Sequence, residues 1–400
     1  MVFDSADAAP NHSQHQHVDT LMAESNSFRS ANSAPRILEI GEYRLMREAY
    51  PDTTDHWSTT MWAGIALEPA HEQAVTLSSL PRLRRALAGG DYDLVVVQPG
   101  TFRPWHFGAL SRSLFRRSAL SGHVPYFRHF GQDMIRGRVT APIAIWDWDE
   151  PSFIYRHNVF LLDRATLYFK RELPPDHWRV FLGTVHPKVP TPRFRRTQRH
   201  RRRIAKLRPI SLGLPLGRAN LPAAHPRPDA DKTADVFFAG RVQDSATVRQ
   251  NGLAELLALR DKGFRIDVAE AQLPLDEYLR RCASAWLTWS PEGLGYECFR
   301  TYEAAICGSV PVINRATMYC HRPLRHGEHC FYYDVETGGL TRMFETALAD
   351  RARLSIMARA ARDFVLTHHT QAALARYVAE TTLAFAAKNA KPDVRAGSPK

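Results

Sequence analysis

The chain has 400 residues, of which 44% are hydrophobic and 24% charged, and it carries a formal net charge of +12. That length supports two or three domains with sizeable cores, and the balance is ordinary for a globular protein. Nothing approaches 18 uninterrupted apolar residues and the N-terminus lacks a charged-then-apolar signal pattern, so neither a membrane-spanning helix nor secretion is expected.

Residues 1–35 are rich in Ser, Ala, Asn and His without periodicity and read as a disordered tail. The first domain is expected over residues 36–216. Its clearest strand is residues 93–98, ended by Pro99-Gly100 and preceded by a basic helix over 80–87 that Gly89-Gly90 closes. A helix over 110–120 follows, then a strand over 141–146 ending in Asp147-Trp148-Asp149. Residues 165–169 and 209–212 read as two further short strands. This alternation favours a parallel sheet with helices on both faces.

Residues 217–235 carry Pro222, Pro226 and Pro228 with few apolar residues and read as a linker. The second domain is expected over 236–369. It opens with a strand over 236–239 followed by Gly240-Arg241. Helical patterns cover 252–262 and 275–284, and strands 264–268, 285–289, 310–313 and 331–333. Two helices over 340–366 break near Asp350. A terminal helix spans 370–388, before a disordered tail over 389–400.

Within that domain, residues 285–313 form one unit of strand, Gly-rich loop, helix and strand. Pro291, Gly293 and Gly295 force the loop, a helix is expected from Tyr296, and Gly308 ends it. A loop that feeds a helix N-terminus favours an anion, because free N–H groups and the helix dipole point at it. One turn in, Arg300 offers a fixed fork for phosphate oxygens and Glu303 a carboxylate for paired ribose hydroxyls. Gly240 and Arg241 fall at a neighbouring strand end, where ligands of open parallel sheets bind. By spacing alone, Arg300 and Glu303 also fit an exposed ion pair.

The run Arg-x-x-Glu-Ala followed by Val-Pro-Val-Ile resembles the donor half of GT-B glycosyltransferases, in the exostosin-like and spore-maturation CgeB-like branches. The resemblance covers roughly residues 234–369, and more loosely 36–216. It implies two Rossmann-like parallel-sheet domains, an α/β class, with a terminal helix crossing back onto the first. It implies a nucleotide-diphosphate sugar as co-substrate, gripped without metal by Gly240, Arg241, Gly293, Gly295, Arg300 and Glu303. The larger GT-B group usually has a Glu eight residues before the second Glu. Here Gly295 stands there, so that contact is absent or moved to Glu292 or Glu297.

Asp147 and Asp149 form an Asp-x-Asp at a strand end. Such carboxylates suit Mg²⁺ or Mn²⁺, but Asp91/Asp93 and Asp229/Asp231 match the same pattern, so it is unspecific. Acceptor binding or general-base work is the functional reading, and capping of the next turn the structural one. No metal site is expected, since Cys320, His321, His326, His329 and Cys330 fit no zinc spacing.

The basic excess is local. Residues 193–208 hold nine Lys and Arg and no acid, and without them the net charge falls to +3. With Arg201, Arg202 and Arg203 at its centre, this run is a solvated loop, a patch for an anionic membrane surface or acidic acceptor, or, least favoured, a nucleic-acid contact. The five cysteines form no Cys-x-x-Cys and read as free thiols of a reducing compartment. Together these readings point to a cytoplasmic glycosyltransferase, peripheral at the membrane, acting on a glycan or lipid-linked acceptor. The rival is a non-catalytic basic α/β protein that binds nucleic acid or membrane.

Overall fold

The computed structural model describes residues 34–59, 70–100, 130–182, 196–242, 247–293 and 295–390. The expected helix over 110–120, nearly all of the N-terminal tail and residues 391–400 lie outside them. So do Arg193 and Arg195 of the basic run.

The first domain is a parallel sheet. In chain order its strands are β1 Ile37–Gly41, β2 Thr54–Ser58, β3 Glu72–Ala74, β4 Leu94–Val97, β5 Ile143–Asp147, β6 Leu167–Lys170 and β7 Leu207–Pro209. Their order across the sheet is β3-β2-β1-β4-β5-β6-β7, every pair parallel. β7 ends rather than begins at Pro209, which has no N–H to give the ladder. The second sheet holds β8 Ala234–Phe238, β9 Ile266–Val268, β10 Ala285–Trp289, β11 Val310–Asn314 and β12 Phe331–Tyr333, in the order β12-β11-β10-β8-β9, again parallel.

Parallel strands are covered on both faces, so they read as continuous apolar runs. In β4, Val95 and Val97 join one core cluster while Leu94 and Val96 join another. That second cluster contains Leu374, Ala375, Val378 and Ala379 of the C-terminal helix Gln371–Ala390. The chain thus finishes the second domain and returns to cover one face of the first. At the crossing, Leu214 N donates to His369 O (2.7 Å) and Gln371 N to Leu214 O (2.9 Å), so the outgoing and returning segments are pinned together.

The segment between the sheets is built onto the second domain. It forms a short helix, Leu216–Ala219, and single turns at Pro222–Ala224 and Asp229–Asp231, and Ala224 is buried. Lys232 Nζ donates to the carbonyls of Ala285 and Gly308, both at 2.9 Å, which fixes the segment despite its prolines.

The basic run is largely consumed inside the protein, and here the expectation of an Arg201–Arg203 patch is corrected. Arg203 is buried and forks onto Asp163 (Nε–Oδ1 2.8 Å, Nη2–Oδ2 2.6 Å). Arg199 reaches the same carboxylate at 2.6 Å. Lys206 donates to Leu162 O and Ala165 O, and Arg208 to Ala205 O and Leu207 O. These bonds fasten the helix Gln198–Ile204 to Val159–Arg164. Arg201 and Arg202 are exposed. Both helices lead into amino ends of strands, at the edge opposite the carboxyl ends.

A charge-assisted fork is worth roughly 1.5–3 kcal/mol. Arg203→Gln should therefore lower the melting temperature measurably, whereas Arg201→Gln and Arg202→Gln should leave it within error. Equal melting of all three variants would return Arg203 to the surface patch.

Candidate functional site

In each sheet the chain starts in the middle and reverses direction, and ligands of open parallel sheets bind beyond the carboxyl ends at that switch point. In the second sheet the switch lies between β8 and β10. The loop after β8 carries Gly240 and Arg241, and the loop after β10 carries Gly293 and Gly295. The sheet order thus brings all four beside the helix Phe299–Ile306, which bears Arg300 and Glu303.

Arg300 lies over the Phe238 ring at 5.1 Å, and a β-carbon at Gly240 would overlap its Nη2. Its Nε and Nη1 are buried and have no hydrogen-bond partner. Glu303 is buried and pairs not with Arg300 but with Arg218, whose guanidinium also sits 5.0 Å over the Phe299 ring. The exposed i,i+3 ion pair is therefore not formed. Arg241 has an exposed side chain.

Arg249, which sequence reasoning passed over, builds the crevice. Its Nη1 donates to Arg241 O and its Nε to Glu292 O, both at 2.9 Å, so it ties one switch-point loop to the other. A β-carbon at Gly293 would lie 2.7 Å from its Nη2, so the glycine is what lets the guanidinium in.

The N–H groups just ahead of the Phe299–Ile306 helix are occupied from across the cleft, which corrects the reading of that loop as free donors. Glu172, two residues past the end of β6, accepts from Tyr296 N (2.9 Å) and Glu297 N (2.8 Å). This is why the helix starts at Phe299 rather than at Tyr296. Gly295 is needed for the approach, since a β-carbon there would lie 2.9 Å from Glu172 Oε1. Arg171 Nη2 donates to Glu297 O (2.8 Å). Glu297 accepts from Leu212 N and Tyr302 Oη, and burial pushes its carboxyl up to about 7. Glu292 is paired with Asn314. Glu297 and Glu292 are thus both engaged inside the protein.

Facing this crevice are Asp147 and Asp149. Asp147 is buried and fully used: it accepts from Tyr168 Oη (2.6 Å) and Asp149 N (3.1 Å), with Lys170 Nζ at 3.4 Å. Both of its oxygens are thereby engaged inside the protein. Asp149 is half-buried and its carboxylate accepts no hydrogen bond from the described residues. Burial and the neighbouring charge of Asp147 push it up to about 7, against the pull of Lys170 and Arg171. Trp148 between them bonds Leu212 O (2.7 Å) and meets the Phe299 ring at 6.2 Å, so the two sides of the cleft touch here. Among the described residues no group of three His, Cys, Asp or Glu is placed to hold a metal ion, and the five cysteines are unbonded thiols. Arg201, Arg202 and Arg203 belong to the opposite end of the first sheet and take no part.

Two facing parallel-sheet domains, a cleft between their carboxyl ends and a terminal helix that crosses back define the GT-B architecture. The comparisons agree. A family model described as the RXYLT1 C-terminal domain matches residues 246–329. Sucrose-phosphate synthase from Thermosynechococcus elongatus superposes with a TM-score of 0.53 at 11% identity, over 88% of this chain and 100% of that one. A glycosyltransferase from Rickettsia africae ESF-5 gives 0.50 at 8% identity, over 89% and 99%. HepE from Anabaena, solved with UDP and glucose, gives 0.47 at 13% identity, over 87% and 99%. No curated protein matches the sequence. The chain has the GT-B fold.

Asp149 supplies a test that needs no substrate. A carboxyl whose folded pKa is raised stabilises the fold fully at pH below its unfolded value near 4. That contribution is lost as pH rises through about 7. Asp149→Asn should therefore make the fall in melting temperature between pH 5 and 7.5 shallower. The slope will not vanish, because Glu39 and Glu297, also raised, act in the same direction. Parallel curves for the two proteins would show that Asp149 is not perturbed.

Proposed function

We propose that this protein transfers a sugar from a nucleoside-diphosphate sugar to an acceptor hydroxyl. The observation that carries this reading is Arg300, a cation with two buried donors and no partner, held at the switch-point crevice of a GT-B fold. A diphosphate offers the oxygens that those donors lack, and it gains charge as the glycosidic bond breaks. Arg241, exposed on the adjacent loop, supplies a second cation. Glu303, steadied by Arg218, is the acceptor for the ribose hydroxyls. Gly240, Gly293 and Gly295 allow the close approaches that shape the crevice.

Asp149 is the base on the facing domain. In an inverting displacement the acceptor oxygen attacks the anomeric carbon, the bond to the diphosphate breaks, and Asp149 takes the acceptor proton. A pKa near 7 suits that role, whereas Asp147 is already bonded on both oxygens. We propose that the grip works without metal, by arginines and backbone. The rival reading of a non-catalytic basic protein drew on residues 193–208. Arg199, Arg203, Lys206 and Arg208 are now accounted for by internal bonds. No helix among the described residues is long and apolar enough to cross a membrane. The exposed Arg201 and Arg202 leave a peripheral, cytoplasmic placement as part of the proposal.

Kinetics with a sugar-nucleotide panel test the roles. Arg300→Ala removes a donor that matters most in the transition state and should cost on the order of 3 kcal/mol, about two decades in kcat. Glu303→Ala and Arg218→Ala remove contacts that do not change during transfer, so they should raise the donor KM more than they lower kcat. Near-normal kcat/KM in all three folded variants would remove the nucleotide from this helix.

EDTA should leave turnover unchanged. Activity lost with EDTA and restored by Mn²⁺ would overturn the metal-free grip.

A further inference from the structure

The first sheet has its own switch point, between β1 and β4, and it holds an unusual surface residue. Tyr43, on the loop after β1, is 49% exposed, yet its backbone is fixed from both sides. Tyr43 N donates to Gln98 Oε1 (2.9 Å) and Gln98 Nε2 donates to Tyr43 O (2.6 Å). Gln98 is itself held by Glu39, which also accepts from Leu45 N and Met46 N (3.0 and 3.3 Å). Gly41 makes room for this, since any β-carbon there would overlap the Gln98 amide. A buried carboxylate and a buried amide thus anchor a loop whose aromatic ring is left in solvent. The anchoring leaves about half of Tyr43 open to solvent.

The ring stands at the cleft. Its centroid is 5.1 Å from Trp148, edge to face at 79°, and Trp148 meets Phe299 of the donor-side helix. Tyr43 and Tyr155 both feel the charge of Asp149 after burial, and Glu42 and Glu150 add to the same negative field. The surroundings are therefore aromatic and rich in carboxylates, with Lys170 and Arg171 lying behind Asp149. A phosphate or a nucleic acid would be repelled here, and a lipid chain would find carboxylates. A pyranose fits both features: its C–H face stacks on an aromatic ring, and its hydroxyls donate to carboxylates.

We propose that Tyr43, backed by Trp148, is a stacking platform for a neutral carbohydrate acceptor, which presents its hydroxyl to Asp149. The proposal rests on the transfer reading above and narrows its acceptor to a sugar ring. It takes Tyr43 as a specificity-determining residue of the first domain, outside the donor grip.

The test is saturation-transfer NMR on the full chain with methyl glucoside, galactoside, mannoside and xyloside as probes. With the protein's aromatic protons irradiated, saturation should reach the pyranose C–H protons of at least one glycoside. A stacked ring is worth about 0.5–1.5 kcal/mol, so Tyr43→Ala should cut the signal by roughly 2- to 10-fold. Tyr43→Phe, which keeps the ring, should retain it. Because Gln98 holds the backbone and not the side chain, the loop stays anchored in both variants. Absence of transfer to all four glycosides, or an undiminished signal in Tyr43→Ala, overturns the platform. Melting with UDP on the same samples separates the two readings. UDP stabilising wild type and Tyr43→Ala alike supports a platform outside the donor site, whereas a Tyr43→Ala that loses the UDP response assigns the ring to the donor and overturns it. A wild type that ignores UDP but keeps the glycoside signal would sink the donor reading alone.

Discussion

One carboxylate joins the two halves of this molecule. Glu172 leaves the first sheet at the end of β6 and caps the backbone of Tyr296 and Glu297 in the second domain. Two backbone donors are satisfied by a residue 124 and 125 positions away, and the carboxylate that does it is buried. Taking an acidic group out of water is costly unless donors replace the solvent. Here they do, and Arg171 stands 3.7 Å away as counter-charge. Glu172 adopts a left-handed backbone (φ 56°), unusual for a non-glycine, which directs its side chain across the cleft. Immediately after it, Leu173 O accepts from Tyr319 N (2.7 Å). The carboxyl ends of both sheets are thereby held face to face.

The same lock explains the local geometry of the donor side. With Tyr296 and Glu297 pinned, the helix begins at Phe299, and its first turn presents Phe299 to Trp148 and Arg300 to Gly240. Arg249 closes the other flank by binding carbonyls of both switch-point loops. Three glycines stand where three charged side chains approach: Gly240 under Arg300, Gly293 under Arg249, Gly295 under Glu172. None of the three requires a positive φ, so their role is space, not conformational freedom.

Much of the second domain was legible because its signals are local. The runs 285–289 and 310–313 are continuous and apolar, glycine and proline punctuate the loops between, and Asp350 does cap the helix Arg351–His368 through Arg353 N. The first domain was harder. β2 reads Thr-Asp-His-Trp-Ser, with no apolar alternation, and is buried because β1 and β3 flank it. β1 carries Glu39 in its middle, and the groups that satisfy it include Gln98, 59 residues on. The fate of the basic run turned on Asp163, 40 residues before Arg203. Donor-side residues could be placed by motif and strand end. Arg218, Arg249, Glu172 and Tyr43 could not, because each acquires its meaning from a partner distant in the chain.

Arg300, half-buried, differs in kind from the other arginines that reach into the interior. Arg47 bonds Glu72, and Arg171 bonds the carbonyls of Trp148 and Glu297. Arg203 and Arg249 are bonded to a carboxylate and to carbonyls. Arg300 Nε and Nη1 have no acceptor among the described residues, and the guanidinium lies against the face of Phe238. The obvious partner, Glu303, is one turn away on the same helix, yet Arg218 from the inter-domain segment holds it. Donors buried without an acceptor are costly, and the carboxylate nearest in the helix is held elsewhere. On the reading proposed above, an anion supplies the acceptors these donors lack. On that same reading, the diversion of Glu303 to Arg218 keeps the carboxylate and the Arg300 guanidinium apart, one for ribose hydroxyls and one for the diphosphate, at two points on one helix.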